Sequence, residues 1–156
     1  MRRASAVINL PGVSIADAEA LWYDVARWPS FVEGFKHLVS REGDWPSAGG
    51  RLIWESVPDG RGRVSETVTA FTQREGQQAA VQDPRISGLQ RVTFTATGSA
   101  DDRPGLRVTL DLEYELRERG PFSAVTDLLF IRRAQADALR RTLLRFAREL
   151  QADREL

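Results

Sequence analysis

The residues that decide the fold are one strand and an unbroken helical segment near the carboxyl end of the chain. Residues 106–116 read LRVTLDLEYEL, and residues 122–152 read FSAVTDLLFIRRAQADALRRTLLRFARELQA. The strict alternation in the first segment is typical of a β-strand with one buried and one exposed face. The second segment contains neither proline nor glycine, so we predict one helix of about 45 Å over residues 122–152.

Turn-forming residues divide the chain from residue 35 onward into short alternating runs. Glycine, proline and aspartate cluster at residues 49–50, 58–60, 75–76, 84–88 and 101–105. Because these residue types favour turns, we predict six successive strands joined by hairpins over residues 35–116. Residues 4–10 alternate in the same way and are predicted to form an additional first strand.

Two short helices are predicted between the first and second strands. Ser14 is a candidate N-cap with Asp17 three residues on, and apolar residues follow at helical spacing, which predicts a helix over residues 14–26. Pro29 suits a first helical turn and predicts a second helix over residues 30–34. The expected fold is α+β: a helix-grip domain over residues 1–156, with a curved seven-stranded antiparallel sheet around a long C-terminal helix.

Composition narrows the class of protein. The 156 residues are 42% hydrophobic and 28% charged, in the range of one globular domain, and the 22 basic residues balance the 22 acidic ones. Balanced charge argues against nucleic-acid binding.

No segment reaches the roughly 20 apolar residues of a membrane helix, so no integral membrane association is expected. The chain has no cysteine, which favours a cytoplasmic location.

Nearly the whole chain resembles the START-like, or Bet v 1-like (SRPBCC), superfamily, in particular its polyketide cyclase/dehydrase and lipid-transport branch. The resemblance is carried by residues 6–10, 20–29, 34–35, 49–52, 68–71, 107–110 and 114–116, with Leu139 and Leu143 of the last helix. It implies a cavity between sheet and helix that binds a lipid, a polyketide or another apolar molecule. Some members are catalysts and many are carriers, and this chain contains no catalytic motif of the family.

Inward-facing polar residues are the candidates for a site, because an unpaired buried charge is costly. Glu66 shares strand parity with Val64 and Val68, and it is the one candidate for a general acid or base. Alternatively, strand twist takes Glu66 to solvent or an arginine neutralises it. Arg132 lies on the apolar side of the predicted last helix, where it would bind a ligand's carboxylate or phosphate or pair with Glu66. Alternatively, its head reaches water.

Apolar side chains complete the predicted ligand-binding set. Trp54, Phe94 and Tyr114 line the cavity if they share the inner face of the sheet, although such aromatic residues are often ordinary core. Leu139 and Leu143 are the expected contacts from the helix. We expect no cofactor and no metal, since His37 is the only histidine and cysteine is absent.

The register of the hairpin around Trp54 and Glu66 has two solutions. A two-residue turn at residues 59–60 pairs Ile53 with Glu66, whereas a longer turn with a bulge near Gly62 pairs Trp54 with Glu66. We prefer the second, because it places four apolar residues on one face: Leu52, Trp54, Val64 and Val68. Residues 60–63, Gly-Arg-Gly-Arg, are interpreted as part of the hairpin turn and not as a phosphate or RNA contact.

Three functions remain open at this point. The leading hypothesis is a carrier or sensor that binds a small apolar ligand. The second is a polyketide aromatase/cyclase-like enzyme in which Glu66 assists dehydration. The third is a protein-interaction module that uses an apolar patch on the outer sheet face, at Ile53 and Val57. The sequence determines neither the ligand nor the oligomeric state.

Overall fold

A computed structural model of the chain describes residues 1–98, 103–117 and 126–156, with side chains in the last range from residue 130 onward. The strands are β1 (Arg2–Pro11), β2 (Phe35–Glu42), β3 (Arg51–Ser56), β4 (Arg63–Thr72), β5 (Gly76–Gln82), β6 (Ile86–Thr97) and β7 (Gly105–Leu116). The helices are α1 (Ile15–Trp22), α2 (Trp28–Phe31) and α3 (Thr126–Arg154), with a 3-10 turn at Val25–Arg27. The predicted α+β helix-grip fold is confirmed.

The seven strands form one antiparallel sheet in the order β1-β7-β6-β5-β4-β3-β2. The alternation in β7 has the predicted effect, because Leu106, Val108, Leu110, Leu112 and Tyr114 all face the core. Helix α3 packs across this face and contacts β1 and α2. No helix in the described ranges is long and apolar enough to cross a membrane. Sheet and helix therefore enclose the space in which a site is expected.

The short helices have different bounds from those predicted. Ser14 caps α1 as expected, since its hydroxyl accepts a hydrogen bond from the Asp17 N–H at 3.1 Å. However, α1 ends at Trp22, and the carbonyls of Trp22 and of the C-cap residue Tyr23 accept hydrogen bonds from two indole N–H groups instead of from a continuing helix. The indole of Trp28 donates to the Trp22 carbonyl at 2.8 Å, and that of Trp45 donates to the Tyr23 carbonyl at 3.0 Å.

The remaining boundary predictions concern α2, α3 and the turns beside them. Helix α2 spans Trp28–Phe31, so the predicted range of residues 30–34 is wrong: proline occupies its first turn, and the helix begins before it. Helix α3 ends at Arg154, and its predicted start at residue 122 lies outside the described residues. The predicted turn at residues 101–105 also falls partly outside them.

The register of the β3–β4 hairpin differs from both predicted solutions. Trp54 pairs with Val64, and Leu52 pairs with Glu66. The preferred pairing of Trp54 with Glu66 is therefore wrong, as is the alternative pairing of Ile53 with Glu66. Relative to the observed partner Leu52, the two predicted partners of Glu66 are shifted in the same direction along β3, Ile53 by one residue and Trp54 by two.

A tightly bonded loop between the two strands sets this register. The Ser56 N–H donates to the Gly62 carbonyl at 2.9 Å, and the Gly62 N–H donates to the Ser56 hydroxyl at 2.8 Å. Gly62 has a φ of 83°, in the left-handed region that favours glycine. The loop still leaves the four predicted apolar residues together on the buried face: Leu52, Trp54, Val64 and Val68.

Candidate functional site

A narrow cavity of about 60 Å³ lies between the sheet and the middle of α3. Its apolar wall includes Trp22, Trp28, Trp54, Val92, Leu110 and Leu139. Its polar lining residues are Glu33, Arg61, Glu66, Gln77, Gln90, Gln135 and Thr142. Pockets for metabolite-sized ligands usually measure about 300–1,000 Å³. A lipid or polyketide therefore fits this space only after lining side chains or α3 have moved.

Glu66 is the buried carboxyl group of this cavity. Strand β4 directs it inward between Val64 and Val68, and it is only 7% exposed. Its Oε2 accepts a hydrogen bond of 2.7 Å from the indole Nε1–H of Trp54. Burial raises the pKa of Glu66, while the Trp54 hydrogen bond and the Arg61 charge act in the opposite direction. This environment favours the protonated carboxylic acid, which is able to act as a hydrogen-bond donor or a general acid.

Arg61 reaches the same cavity from the β3–β4 loop. Its guanidinium carbon lies 5.7 Å from the centroid of the Trp54 ring, within the range of a cation–π contact. Its Nε donates to Oδ2 of Asp83 at 2.9 Å. Its Nη2 is buried and has no hydrogen-bond partner among the described residues. Trp54 and Asp83 thus hold the Arg61 side chain in place, and its Nη2 remains without a hydrogen-bond partner among the described residues.

Asp83 holds Arg61 from the turn after β5. The carboxylate is 3% exposed, and its Oδ1 accepts hydrogen bonds from the backbone N–H groups of Arg85 and Ile86 at 2.8 and 2.9 Å. These bonds fix the turn, and the second oxygen remains for Arg61. One buried aspartate therefore organises the β5–β6 turn and positions the cation beside the cavity.

The segment after α2 closes one side of the cavity against α3. The Glu33 carboxylate forms ion pairs with Arg145 at 2.8 Å and with Arg141 at 3.5 Å. The Glu33 N–H donates to the Thr142 hydroxyl at 3.0 Å. Two ion pairs and one hydrogen bond thus connect this wall to the helix.

Six of the seven predicted site residues divide into two groups. Trp54, Glu66 and Leu139 line the cavity. The other two aromatic candidates and Leu143 are buried in the core but are not among the lining residues: Phe94, Tyr114 and Leu143. The ring of Phe94 packs against that of Tyr23, with centroids 6.2 Å apart.

Arg132 is exposed, which fits the predicted alternative in which its head reaches water. Its role as a ligand contact stays a prediction, and its charge acts against the rise that burial causes in the pKa of Tyr114. The neighbouring Phe130 is 66% exposed, because it lies on the opposite side of α3 from Leu139, nine residues on. The cation near Glu66 is Arg61, which the sequence analysis assigned only to a turn. The third hypothesis, a protein-interaction patch, remains a prediction: Val57 is 42% exposed, whereas Ile53 is half-buried.

Sequence reasoning missed Arg61, Asp83 and Gln90. Gln90 shares strand parity with Val92, so alternation in β6 was a usable signal for its inward position. No comparable signal exists for Arg61 and Asp83, because they lie in two separate loops that meet only in the folded sheet. The described ranges contain no group of three or more His, Asp or Glu side chains arranged to hold a metal ion.

Solved structures with this architecture cover nearly the full chain. A protein from Thermus thermophilus aligns with a TM-score of 0.73 and 18% identity, covering 97% of this chain and 99% of that one. Truncated norcoclaurine synthase from Thalictrum flavum aligns with a TM-score of 0.67 and 13% identity, covering 96% and 92%. The same synthase in complex with dopamine and hydroxybenzaldehyde gives a TM-score of 0.60 and 15% identity, covering 92% and 86%. At these identities the likeness shows the fold alone.

Sequence comparisons identify the family. No curated protein sequence matches this chain. The family model described as polyketide cyclase / dehydrase and lipid transport matches residues 1–151. The predicted START-like, Bet v 1-like resemblance is confirmed, and ligand binding in the broad sense follows from it. The chain belongs to the polyketide cyclase/dehydrase and lipid transport family.

Proposed function

We propose that this protein binds a small, predominantly apolar ligand, such as a lipid, a polyketide or another hydrophobic metabolite, between the sheet and α3. The observation that carries the proposal is the pair of incompletely hydrogen-bonded polar groups at the cavity wall, Glu66 and Arg61. Leucine or methionine would fill these positions without a desolvation cost, so groups of this kind are typical of a wall that contacts a ligand.

Affinity would come from apolar contact and orientation from the few polar groups. Burial of apolar ligand surface contributes about 25 cal/mol per Å². The family description includes lipid transport, and norcoclaurine synthase, which has the same fold, holds dopamine and hydroxybenzaldehyde in one of its structures. Both observations support a small-molecule ligand without identifying it.

A pair of adjacent alanines on β5 offers a matched test. Ala79 lines the cavity, whereas its neighbour Ala80 points to solvent. Protein purified from its own host should carry a small molecule visible by native mass spectrometry. Ala79→Leu should abolish this adduct by filling the cavity, and Ala80→Leu should keep it. If the wild-type protein carries no small molecule, or if both variants retain it equally, the proposed binding site is wrong.

A second candidate function is an aromatase/cyclase-like reaction with Glu66 as general acid. It is favoured by the burial of Glu66, which raises the pKa of the carboxyl group and keeps a transferable proton inside an apolar cavity. Turnover of a poly-β-keto substrate by the wild type, lost in Glu66→Gln by at least about 100-fold, would support this function. Equal turnover by the two proteins would exclude Glu66 as the acid.

A further inference from the structure

We propose that this cavity selects ligands whose polar end is a hydrogen-bond-accepting carbonyl oxygen, and that Arg61, positioned by Asp83, is a specificity-determining residue. The inference rests on the proposed function and concerns the polarity of the ligand that the site accepts. It follows from three side chains that meet at one place: the Trp54 indole, the Glu66 carboxyl and the Arg61 guanidinium.

The first step concerns which oxygen of Glu66 is able to donate. An indole N–H only donates, so the 2.7 Å contact from Trp54 requires Oε2 of Glu66 to be the acceptor. The carbonyl oxygen of a neutral carboxylic acid is its stronger acceptor, so this contact favours the proton on Oε1, for which the described residues provide no hydrogen-bond partner. Burial favours this neutral form by raising the pKa of the carboxyl group. Glu66 thus presents a donor to the ligand.

The second step concerns Arg61, which has donors and no acceptor. Its Nε is used by Asp83, while its Nη2 is buried without a hydrogen-bond partner among the described residues. The guanidinium lies over the ring of Trp54, and the N–H of the same indole binds Glu66. One indole therefore contacts both side chains that carry an unused donor. Each of these donors needs an acceptor such as a carbonyl oxygen, and an ammonium group provides none.

The other polar lining residues do not reverse this preference. Gln90 and Gln135 carry amides, which donate and accept equally. The Gln77 amide donates to the Pro46 carbonyl at 3.0 Å. The Glu33 carboxylate, which would attract a cation, is paired with arginines of α3. The acceptor preference therefore comes from Arg61 and Glu66.

Asp83 compensates the charge of Arg61 across a 2.9 Å contact, which makes the donor pair compatible with a neutral oxygen. A ketone and a carboxylate both present a carbonyl-type acceptor, and only the carboxylate adds a full negative charge. Ketone and carboxylate ligands accept the same hydrogen bonds, and a matched set of probes distinguishes between them.

The test uses four probes with the same phenyl body: acetophenone, benzoate, 1-phenylethylamine and ethylbenzene. Binding is followed by NMR titration of the Trp54 indole N–H, assigned by its loss in Trp54→Phe. We expect acetophenone or benzoate to bind about tenfold more tightly than ethylbenzene and 1-phenylethylamine. If acetophenone binds more tightly than benzoate, the preferred polar end is a ketone; if benzoate binds more tightly, it is a carboxylate. Equal or tighter binding of ethylbenzene or the amine overturns the acceptor preference but leaves the cavity as a binding site. Binding of none of the four overturns the proposed function and this inference together.

Substitutions at two arginines of the β3–β4 hairpin test the role of Arg61. Arg61→Met should reduce the acceptor preference to about twofold, because it removes the donors and keeps an apolar stem. Arg63→Met is the matched control: Arg63 is exposed and pairs with Glu55 at 2.7 Å, so the tenfold preference should persist. Glu66→Gln should also keep most of the preference, because its amide oxygen accepts from Trp54 while its NH₂ donates. An undiminished preference in Arg61→Met would overturn the assignment.

Discussion

Two buried glutamates in this molecule have very different surroundings. Glu19 on α1 and Glu66 on β4 are each 7% exposed. Glu19 accepts two hydrogen bonds of 2.6 Å from Arg74, one from its backbone N–H and one from its guanidinium. Glu66 accepts one hydrogen bond from the neutral indole of Trp54. The charge of the first is compensated by direct contact, and that of the second is not.

The difference indicates different roles. Glu19 stabilises the fold through its contacts, whereas Glu66 is kept in its place by the surrounding fold. Glu19 connects α1 to the β4–β5 turn, where Arg74 adopts a φ of 69° in the left-handed region. The carboxylate stabilises that conformation by binding the N–H of the same residue. Glu66 connects no such elements, and its burial raises the pKa of the carboxyl group, as is common at binding and catalytic sites. The comparison yields three predictions about stability.

Glu19→Ala should produce the largest effect, a loss of about 2–3 kcal/mol in the free energy of unfolding. The substitution leaves the Arg74 backbone N–H unpaired and breaks a partly buried ion pair, while the half-exposed guanidinium regains water. Urea unfolding measures the loss. Asp17→Ala, on an exposed residue of the same helix, should cost less than about 1 kcal/mol. Equal losses in the two variants would show that Glu19 does not hold the turn.

Trp54→Phe should cost about 1–2 kcal/mol and raise the pKa of Glu66 further, because it removes the indole N–H that donates to the carboxylate. A ¹³C NMR titration of the Glu66 carboxyl group measures the change. Trp28→Phe is the matched control, since Trp28 also lines the cavity, but its N–H donates to the Trp22 carbonyl. An unchanged Glu66 pKa in Trp54→Phe would contradict the hydrogen bond.

The fold could be predicted because its signals are local and repeated. Alternation in β7, turn residues at the hairpins and an unbroken last helix predicted the element order without any tertiary information. The β3–β4 register was missed because the Ser56 and Gly62 contacts, which close the loop, depend on side-chain and backbone hydrogen bonds within it. The end of α1 was missed because the indoles of Trp28 and Trp45 bind the carbonyls of Trp22 and Tyr23, and the helical spacing of apolar residues does not reveal these contacts.

The site was only half predictable, for a related reason. Strand parity identified Glu66, because direction along a strand is periodic. Arg61 was missed because a loop side chain has no such period, and its partner Asp83 is 22 residues away. The two alternatives for Arg132 could not be separated from the sequence, because a helical wheel gives the side of the helix on which a residue lies but not what packs over that side.

Glu66→Gln should have the smallest effect, and its sign separates the two glutamates. At a pH below the ordinary carboxyl pKa of 4.5, Glu66 is protonated in both the folded and the unfolded chain. As the pH rises above that value, the unfolded chain releases the proton freely, whereas burial resists its release in the folded protein. Wild-type stability therefore falls across this window until the folded pKa is passed, and a glutamine variant avoids the loss.

We expect Glu66→Gln to be more stable than the wild type by about 1 kcal/mol at pH 8 and equal at pH 4. Glu19→Gln should instead be less stable at pH 8, because it replaces a charge-assisted hydrogen bond with a neutral one. Urea unfolding at the two pH values measures both, and a Glu66→Gln variant less stable than the wild type at pH 8 would mean that the Glu66 charge is compensated after all.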